Sequence, residues 1–303
     1  MVRSKKRIVL FAGPGEFAQR VVECLVARSI GFDALVWGGY RGYESADSFP
    51  LCFPRRRQDH GSLPYIANDR HTTIIYWQSD ADPLARLTAI RPDIGLVVCF
   101  PERLGCATWT IPALGCFNLH PSLLPAYRGP DPLFWQFYYG ERAGGVTLHC
   151  VSKELDAGPI VLQQPVPFTA GLTRQAAQRL VAEAGAVGFA NLLSQLEVGS
   201  FRSVSQDESA ASYFPTPRRK HLAITTGWSA ERAYRFIRGV SATCGPLPIY
   251  AGKLCIQAND AVAMETGTVQ EQPVVVDGAS LCIQFRTGIV QVRGAIASRV
   301  SSH

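Results

Sequence analysis

Short apolar runs alternate with amphipathic stretches over the first two hundred residues, the pattern of a parallel sheet covered by helices. Arg7–Ala12 reads as a strand ending at Gly13-Pro14-Gly15. From Glu16 to Arg28, Phe17, Val21, Cys24 and Leu25 recur at helical spacing. Phe32–Trp37 predicts a second strand and 82–90 a helix. Asp93–Phe100 is the most continuous buried-strand signal. Cys116–Leu119 and Gly145–Cys150 predict a further strand pair. Thr173–Leu196 predicts a long helix, apolar at Ala176, Leu180, Ala184, Val187, Ala190, Leu193 and Leu196.

The texture changes at 201–220, which is Ser-rich, broken by Pro215 and Pro217, and closed by Arg218-Arg219-Lys220. It reads as a linker. Ser229–Val240 predicts a helix with Ser229 as N-cap. Five short β-type runs follow: Leu254–Ile256, Gly267–Val269, Pro273–Val276, Ser280–Ile283 and Ile289–Val292, with the rhythm of a small β-barrel or sandwich. The expected class is α/β: a Rossmann-like domain over 1–200 with a mainly parallel sheet, the linker 201–220, and a helix plus barrel-like β domain over 221–303.

Composition removes several classes. With 47% hydrophobic and 18% charged residues the chain is not disordered. No run approaches the roughly 18 apolar residues of a membrane span, so no membrane partner is expected. The basic-then-apolar start is cut short at Gly13-Pro14 and lacks a small-residue cleavage site, so it reads as a buried strand rather than a secretory signal. The nine cysteines are scattered without Cys-x-x-Cys spacing, as reduced thiols of a cytoplasmic protein are. The six histidines are dispersed as well, and no metal site is expected.

The polar information is densest between Asn118 and Ile160. On a strand, Asn118 and His120 point the same way. They follow an apolar run, at the carboxyl end where open α/β sheets bind ligands. Pro121 ends the strand. Asp156 precedes a turn containing Gly158 and could reach the imidazole. An amide, a base and a carboxylate converging on one carbonyl can carry out acyl transfer without a protein nucleophile. Ser122 has no Gly-x-Ser-x-Gly elbow and reads as a turn former. Gly13-Pro14-Gly15 lacks the third glycine of a dinucleotide fingerprint. His149 reads as a core or rim residue. Arg55-Arg56-Arg57, in the 38–64 loop, reads either as solvated or as a phosphate contact.

Asn118-Leu119-His120-Pro121-Ser122-Leu123-Leu124-Pro125, Tyr127-Arg128-Gly129 and Asp156-Ala157-Gly158 resemble the signature of the folate-dependent formyltransferase family, whose members act on methionyl-tRNA, glycinamide ribonucleotide and amino sugars. Ile8–Phe17, Arg91–Leu104, Gly267–Val269 and Ile289–Gln291 extend the resemblance over most of the chain, with 91–165 its specific part. It implies 10-formyltetrahydrofolate as donor and a primary amine as acceptor. It also implies that Asn118 donates to the tetrahedral oxyanion, that His120 stabilises it as imidazolium or passes a proton, and that Asp156 holds the histidine. The pteridine would lie on Phe100, Pro101, Glu102, Arg103 and Leu104, chiefly on backbone groups, and near Ser152. Ser122, Tyr127, Arg128 and Gly129 would face the acceptor; Arg128 reads equally as an anion contact or as a salt-bridge partner.

Charge bears on which amine. The 30 basic and 24 acidic residues give a net +6. Residues 1–200 hold 19 basic and 17 acidic side chains, 201–243 hold 7 and 3, and 244–303 hold 4 and 4. A tRNA-binding domain needs a basic face, and the β domain is neutral. The mixed loop Tyr40–Pro64 and Cys244-Gly245-Pro246-Leu247-Pro248 also depart from the tRNA enzymes. A small amine is therefore expected, such as an amino-sugar nucleotide or an amino-acid-derived intermediate, with methionyl-tRNA the alternative. A formate-releasing hydrolase and a non-catalytic binding module are the further readings.

Overall fold

The computed structural model describes residues 6–38, 63, 72–77 and 81–299. The Arg55–Arg57 stretch lies outside them. Seven strands form the first sheet, in the order β3-β2-β1-β4-β5-β6-β7. They are β1 (Ile8–Ala12), β2 (Ala34–Trp37), β3 (Thr73–Tyr76), β4 (Ile94–Val98), β5 (Cys116–His120), β6 (Ala143–Cys150) and β7 (Ile160–Pro167). β1 to β5 run parallel, whereas β6 is antiparallel to both β5 and β7.

The near-continuous apolar sequences of β1 and β4 follow from burial on both faces. Ile8 and Leu10 of β1 pack on the side covered by α1 (Glu16–Ala27) and the later helix Arg174–Glu197, while Val9 and Phe11 pack towards Leu87. Leu87 belongs to α2 (Ala81–Ile90), and the short α3 (Cys106–Trp109) lies on the same side through Trp109. α4 (Pro132–Tyr139) starts at the N-cap Asp131, whose carboxylate accepts from Phe134 N, and ends at the left-handed Gly140. α5 (Arg174–Glu197) is capped by the Thr173 side chain.

α6 (Ala230–Cys244) starts at Ser229, whose hydroxyl accepts from Arg232 N as its sequence position predicts. Its apolar residues Phe236, Ile237 and Val240 join the larger core, which runs on into Ile249, Ile256 and Val292 of the second sheet. That sheet has the order β11-β12-β13-β10-β9-β8. Its strands are β8 (Ile224–Thr225), β9 (Leu247–Ala251), β10 (Leu254–Thr266), β11 (Val274–Asp277), β12 (Ser280–Phe285) and β13 (Gly288–Arg299).

Two expectations change here. Gly267–Val269 is not a strand: Gly267, at φ +81°, ends β10 and starts the connection to β11. Pro246-Leu247-Pro248 conceals β9, in which Pro248 pairs with Gln257 of β10 just before the two-residue β8 begins to pair on the other side. β10 also runs well past Ile256 and carries three register shifts against β13, which bend this strand pair. Residues 201–214 lie against the first unit, extended on either side of a 3-10 turn at Glu208–Ala210, through a bridge between Val204 and Ile160 and another between Tyr213 and Arg128. Among the described residues no helix is long and apolar enough to cross a membrane.

Candidate active site

β5 ends at the site. Phe117 and Leu119 face the core, so the alternation turns Asn118 and His120 to the other face. The antiparallel register sets Asn118 opposite His149 and His120 opposite Thr147. Beyond Pro121 the chain turns tightly. Ser122 Oγ donates to Ala126 O, and Thr147 Oγ1 donates to Ser122 O and accepts from Leu124 N. The peptide Leu124–Pro125 is cis. Tyr127 then takes φ +63°, bringing its carbonyl back over the histidine.

The hydrogen bonds assign the protons. His120 Nε2 lies 2.8 Å from Tyr127 O. A carbonyl only accepts, so Nε2 carries hydrogen, and Nδ1 faces Asp156 Oδ1 at 3.7 Å. His149 Nδ1 donates in the same way to Cys150 O over 3.0 Å, which leaves its Nε2 as an acceptor. Asn118 Nδ2 donates to that nitrogen at 3.1 Å and reaches Asp156 Oδ1 at a long 3.4 Å. Both neighbours are acceptors, so the amide nitrogen must be the atom facing them. Asp156 Oδ2 accepts Gly129 N–H at 2.9 Å.

Asp156 Oδ1 thus sits 3.7 Å from a nitrogen of each imidazole. Burial pushes His149 down to about 4; the neighbouring His120 adds to this, and Asp156 opposes it. Asp156 itself stands at φ +55°, a left-handed conformation aspartate tolerates better than most residues. Gly129, at φ +116°, admits no side chain, because a Cβ there would fall 2.1 Å from Phe214 O.

A cavity of about 340 Å³ opens from these residues. Phe100, Pro101, Glu102, Arg103 and Leu104 line one side, and Val151 to Asp156, Ser152 included, line another. Arg103 Nη2 donates to Lys153 O and ties the two together. Phe100 is held edge-on by Phe11 and Trp77. Asn118, His120 and Gly129 line the same cavity, as do Gly15, Phe17, Asp131, Arg174 and Gln178. Among the described residues no three His, Cys, Asp or Glu side chains converge as metal ligands.

Of the residues singled out in the sequence, Asn118, His120, Asp156, Gly129 and the 100–104 loop therefore converge. Ser122, Tyr127 and Arg128 lie behind them, outside the cavity wall. Ser122 is fully buried in its turn. Tyr127 donates its hydroxyl to Glu141 and stacks on Phe214; burial and Glu141 push that hydroxyl up. Arg128 takes the salt-bridge alternative, bidentate to Glu208 at 2.7 and 2.9 Å, with Gln206 beneath. Four residues that sequence reasoning did not place here also belong. His149 required the β5–β6 register. Asp131 and Arg174 form a buried pair at 2.8 Å across 43 residues, and Gln206 lies in the expected linker.

The formyl transferase family model matches residues 57–193. Methionyl-tRNA formyltransferase of Thermotoga maritima is 34% identical over 241 residues, covering 78% of this chain and 74% of its own. That of Synechococcus sp. strain JA-3-3Ab is 33% identical over 204 residues, covering 64% and 63%. Among solved structures, the N-formyltransferase from Helicobacter canadensis, in complex with folinic acid and dTDP-3-aminofucose, superposes with TM-score 0.70 at 16% identity over 96% of this chain and 99% of its own. HypX from Aquifex aeolicus, in complex with tetrahydrofolic acid, does so with TM-score 0.59 at 17% identity over 95% and 44%. At these identities the two structures report a shared fold.

Proposed function

The chain belongs to the formyl transferase family, and from that premise we propose that it moves the formyl group of 10-formyltetrahydrofolate onto the primary amine of a small molecule, such as an amino-sugar nucleotide or an amino-acid-derived intermediate. The observation that carries the chemistry is the meeting of Asn118, His120 and Asp156 at the end of a cavity walled by the 100–104 and 151–156 loops. Phe100, Leu104, Val151 and Leu155 offer an apolar slot for the pteridine, and the backbone of those loops offers its hydrogen bonds.

The amine nitrogen attacks the formyl carbon, forming a C–N bond and sending the carbonyl π pair to oxygen. Asn118 gives the new oxyanion an N–H, taken from its long 3.4 Å bond to Asp156, while the shorter bond to His149 keeps the amide oriented. A protonated His120 adds positive charge beside the oxyanion. Asp156 balances that charge and accepts, through water, the proton the amine sheds. Collapse breaks the bond from the formyl carbon to N10, and the shed proton returns there, so tetrahydrofolate and the formamide leave in balance.

The acceptor reading draws on where the basic excess goes. Arg232 lies over the Trp228 ring at 3.7 Å, Arg235 pairs with Glu231 at 2.9 Å, and Arg238 pairs with Asp260 at 2.8 Å. These three cations serve packing between α6 and its surroundings, while Arg202, Arg218, Arg219 and Lys220 of the same segment are exposed. The second reading, methionyl-tRNA, is favoured by the 34% identity to the Thermotoga maritima enzyme. Binding to bulk tRNA against salt separates the two, since each neutralised phosphate adds roughly 0.7 to 0.9 to the log–log slope. The small-amine reading expects a slope near zero, and a slope of several units would sink it.

A further inference from the structure

We propose that Gln206, outside the catalytic strand and its loops, is the positioning residue that sets the distance between His120 and Asp156. Its side chain makes four hydrogen bonds. Nε2 donates to Asp156 O at 2.7 Å and to Gly158 O at 2.8 Å. Oε1 accepts from Arg128 Nη2 at 2.8 Å and Arg128 Nε at 3.2 Å. An amide nitrogen has two hydrogens and its oxygen two lone pairs, so the capacity of this side chain is fully used.

These bonds join the two loops that hold the catalytic pair. On one side, the 156–158 turn carries the carboxylate. On the other, Tyr127–Gly129 supplies the carbonyl that accepts from His120 Nε2 and the N–H that donates to Asp156 Oδ2. The ring closes through Gln206: imidazole to Tyr127, Arg128 to Gln206, Gln206 to Asp156, and Asp156 back to Gly129. Both loops include a non-glycine residue in the left-handed region, Tyr127 and Asp156, which persists only when its surroundings hold it. Val204 and Ile160 exchange backbone bonds at 2.7 and 2.8 Å, and Ser212 O and Arg128 O accept from Arg128 N and Phe214 N, so Gln206 is itself anchored on both flanks. Glu208 grips the far side of Arg128 without touching the Asp156 turn.

The proposal rests on the formyl-transfer reading for its catalytic consequence and on geometry alone for the positioning, so the test has two arms. Histidine is labelled with ¹⁵N in the wild type, Gln206→Leu and Glu208→Gln, and the His120 signal is assigned by its loss in His120→Gln. The wild type should show a proton on His120 Nε2 that exchanges slowly with water. In Gln206→Leu that proton should exchange and its signal broaden or vanish, with the His149 signal and the far-ultraviolet circular dichroism retained. Glu208→Gln should match the wild type. In the second arm, kcat of Gln206→Leu should fall on the order of 100-fold, with the KM for the formyl donor within about threefold, as expected for misplacement of groups that act only on the reacting centre. Should Gln206→Leu fail to fold, Gln206→Glu keeps the acceptor for Arg128, loses both donors, and carries the same readouts. A His120 signal identical to wild type in the folded variant, or an equal change in Glu208→Gln, overturns the positioning role. A wild type that shows the slow proton but transfers no formyl group leaves the positioning intact and overturns the reaction.

Discussion

Acid should act on this fold through His149 in a defined window. The free side chain titrates at 6.5, whereas burial holds the folded one down to about 4. Between those values the unfolded chain binds a proton that the folded chain does not, so stability falls as the pH falls. Each pH unit is worth about 1.4 kcal/mol for one group, so the full window amounts to about 3 kcal/mol. Above pH 6.5 the contribution is constant. His149→Gln removes the titration and keeps a side chain able to accept from Asn118. The measurement is urea unfolding of both proteins at several pH values from about 7.5 down to about 4. The wild-type advantage over the variant should be flat above 6.5 and then shrink by up to about 1.4 kcal/mol per unit. A difference independent of pH would show that burial does not hold His149 below its free value in the fold. One that grows on acidification would mean that Asp156 wins over burial and His149 is charged in the fold. Its Nε2 could then not accept from Asn118, and the proton assignment of the whole site would fall with it.

Other perturbations read the catalytic groups, the buried contacts and the thiols. Asn118→Ala should lower kcat on the order of 100- to 1000-fold as an oxyanion donor is lost, and His120→Ala or Asp156→Ala should remove most turnover, with the folate dissociation constant nearly unchanged in all three. Gly129→Ala should lower stability by at least about 1–3 kcal/mol from backbone strain alone, since its Cβ would meet Phe214 O at 2.1 Å; thermal denaturation reads it. Arg174→Met strands the buried Asp131 carboxylate and should cost about 3–5 kcal/mol, much of it recovered in Arg174→Met with Asp131→Asn, which keeps the cap on α4. Among the described cysteines, Cys106 is exposed and should alkylate first, while Cys116, buried and with its thiol pushed up by that burial, should react only on unfolding.

The parts of the molecule legible in the sequence are those where one physical rule dominates. The unbroken apolar stretches Ile8–Ala12 and Ile94–Val98 mark strands buried on both faces, and helical spacing marks the extent of α5 but not its buried face, since Leu180 and Val187 are exposed while Ala177, Val181, Gly185 and Phe189 are buried. Asn118 and His120 are two residues apart on a strand that ends at a proline, so their shared direction follows from the pleat. The missed parts depend on pairings the sequence does not spell out. His149 reads as one more strand residue until the register sets it opposite Asn118. Arg128 and Glu208 are 80 residues apart, and nothing local in the Ser-rich 201–220 stretch distinguishes a tether from a linker. In β10 the register shifts break the two-residue alternation, so only its first three residues stand out as a strand. β9 hides behind Pro246 and Pro248, which are tolerated because β8 pairs only with Ile249 and Tyr250.

The proposed function requires transfer of a formyl group from 10-formyltetrahydrofolate to a small amine by Asn118, His120 and Asp156. Its most direct measurement is tetrahydrofolate release across a panel of amino-sugar nucleotides, amino-acid-derived amines and methionyl-tRNA, with mass detection of the formamide and with Asp156→Ala run alongside. Release should require one small amine, match the formamide formed, and be lost in the variant. Release without any amine, release with methionyl-tRNA alone, or wild-type release by Asp156→Ala would contradict it.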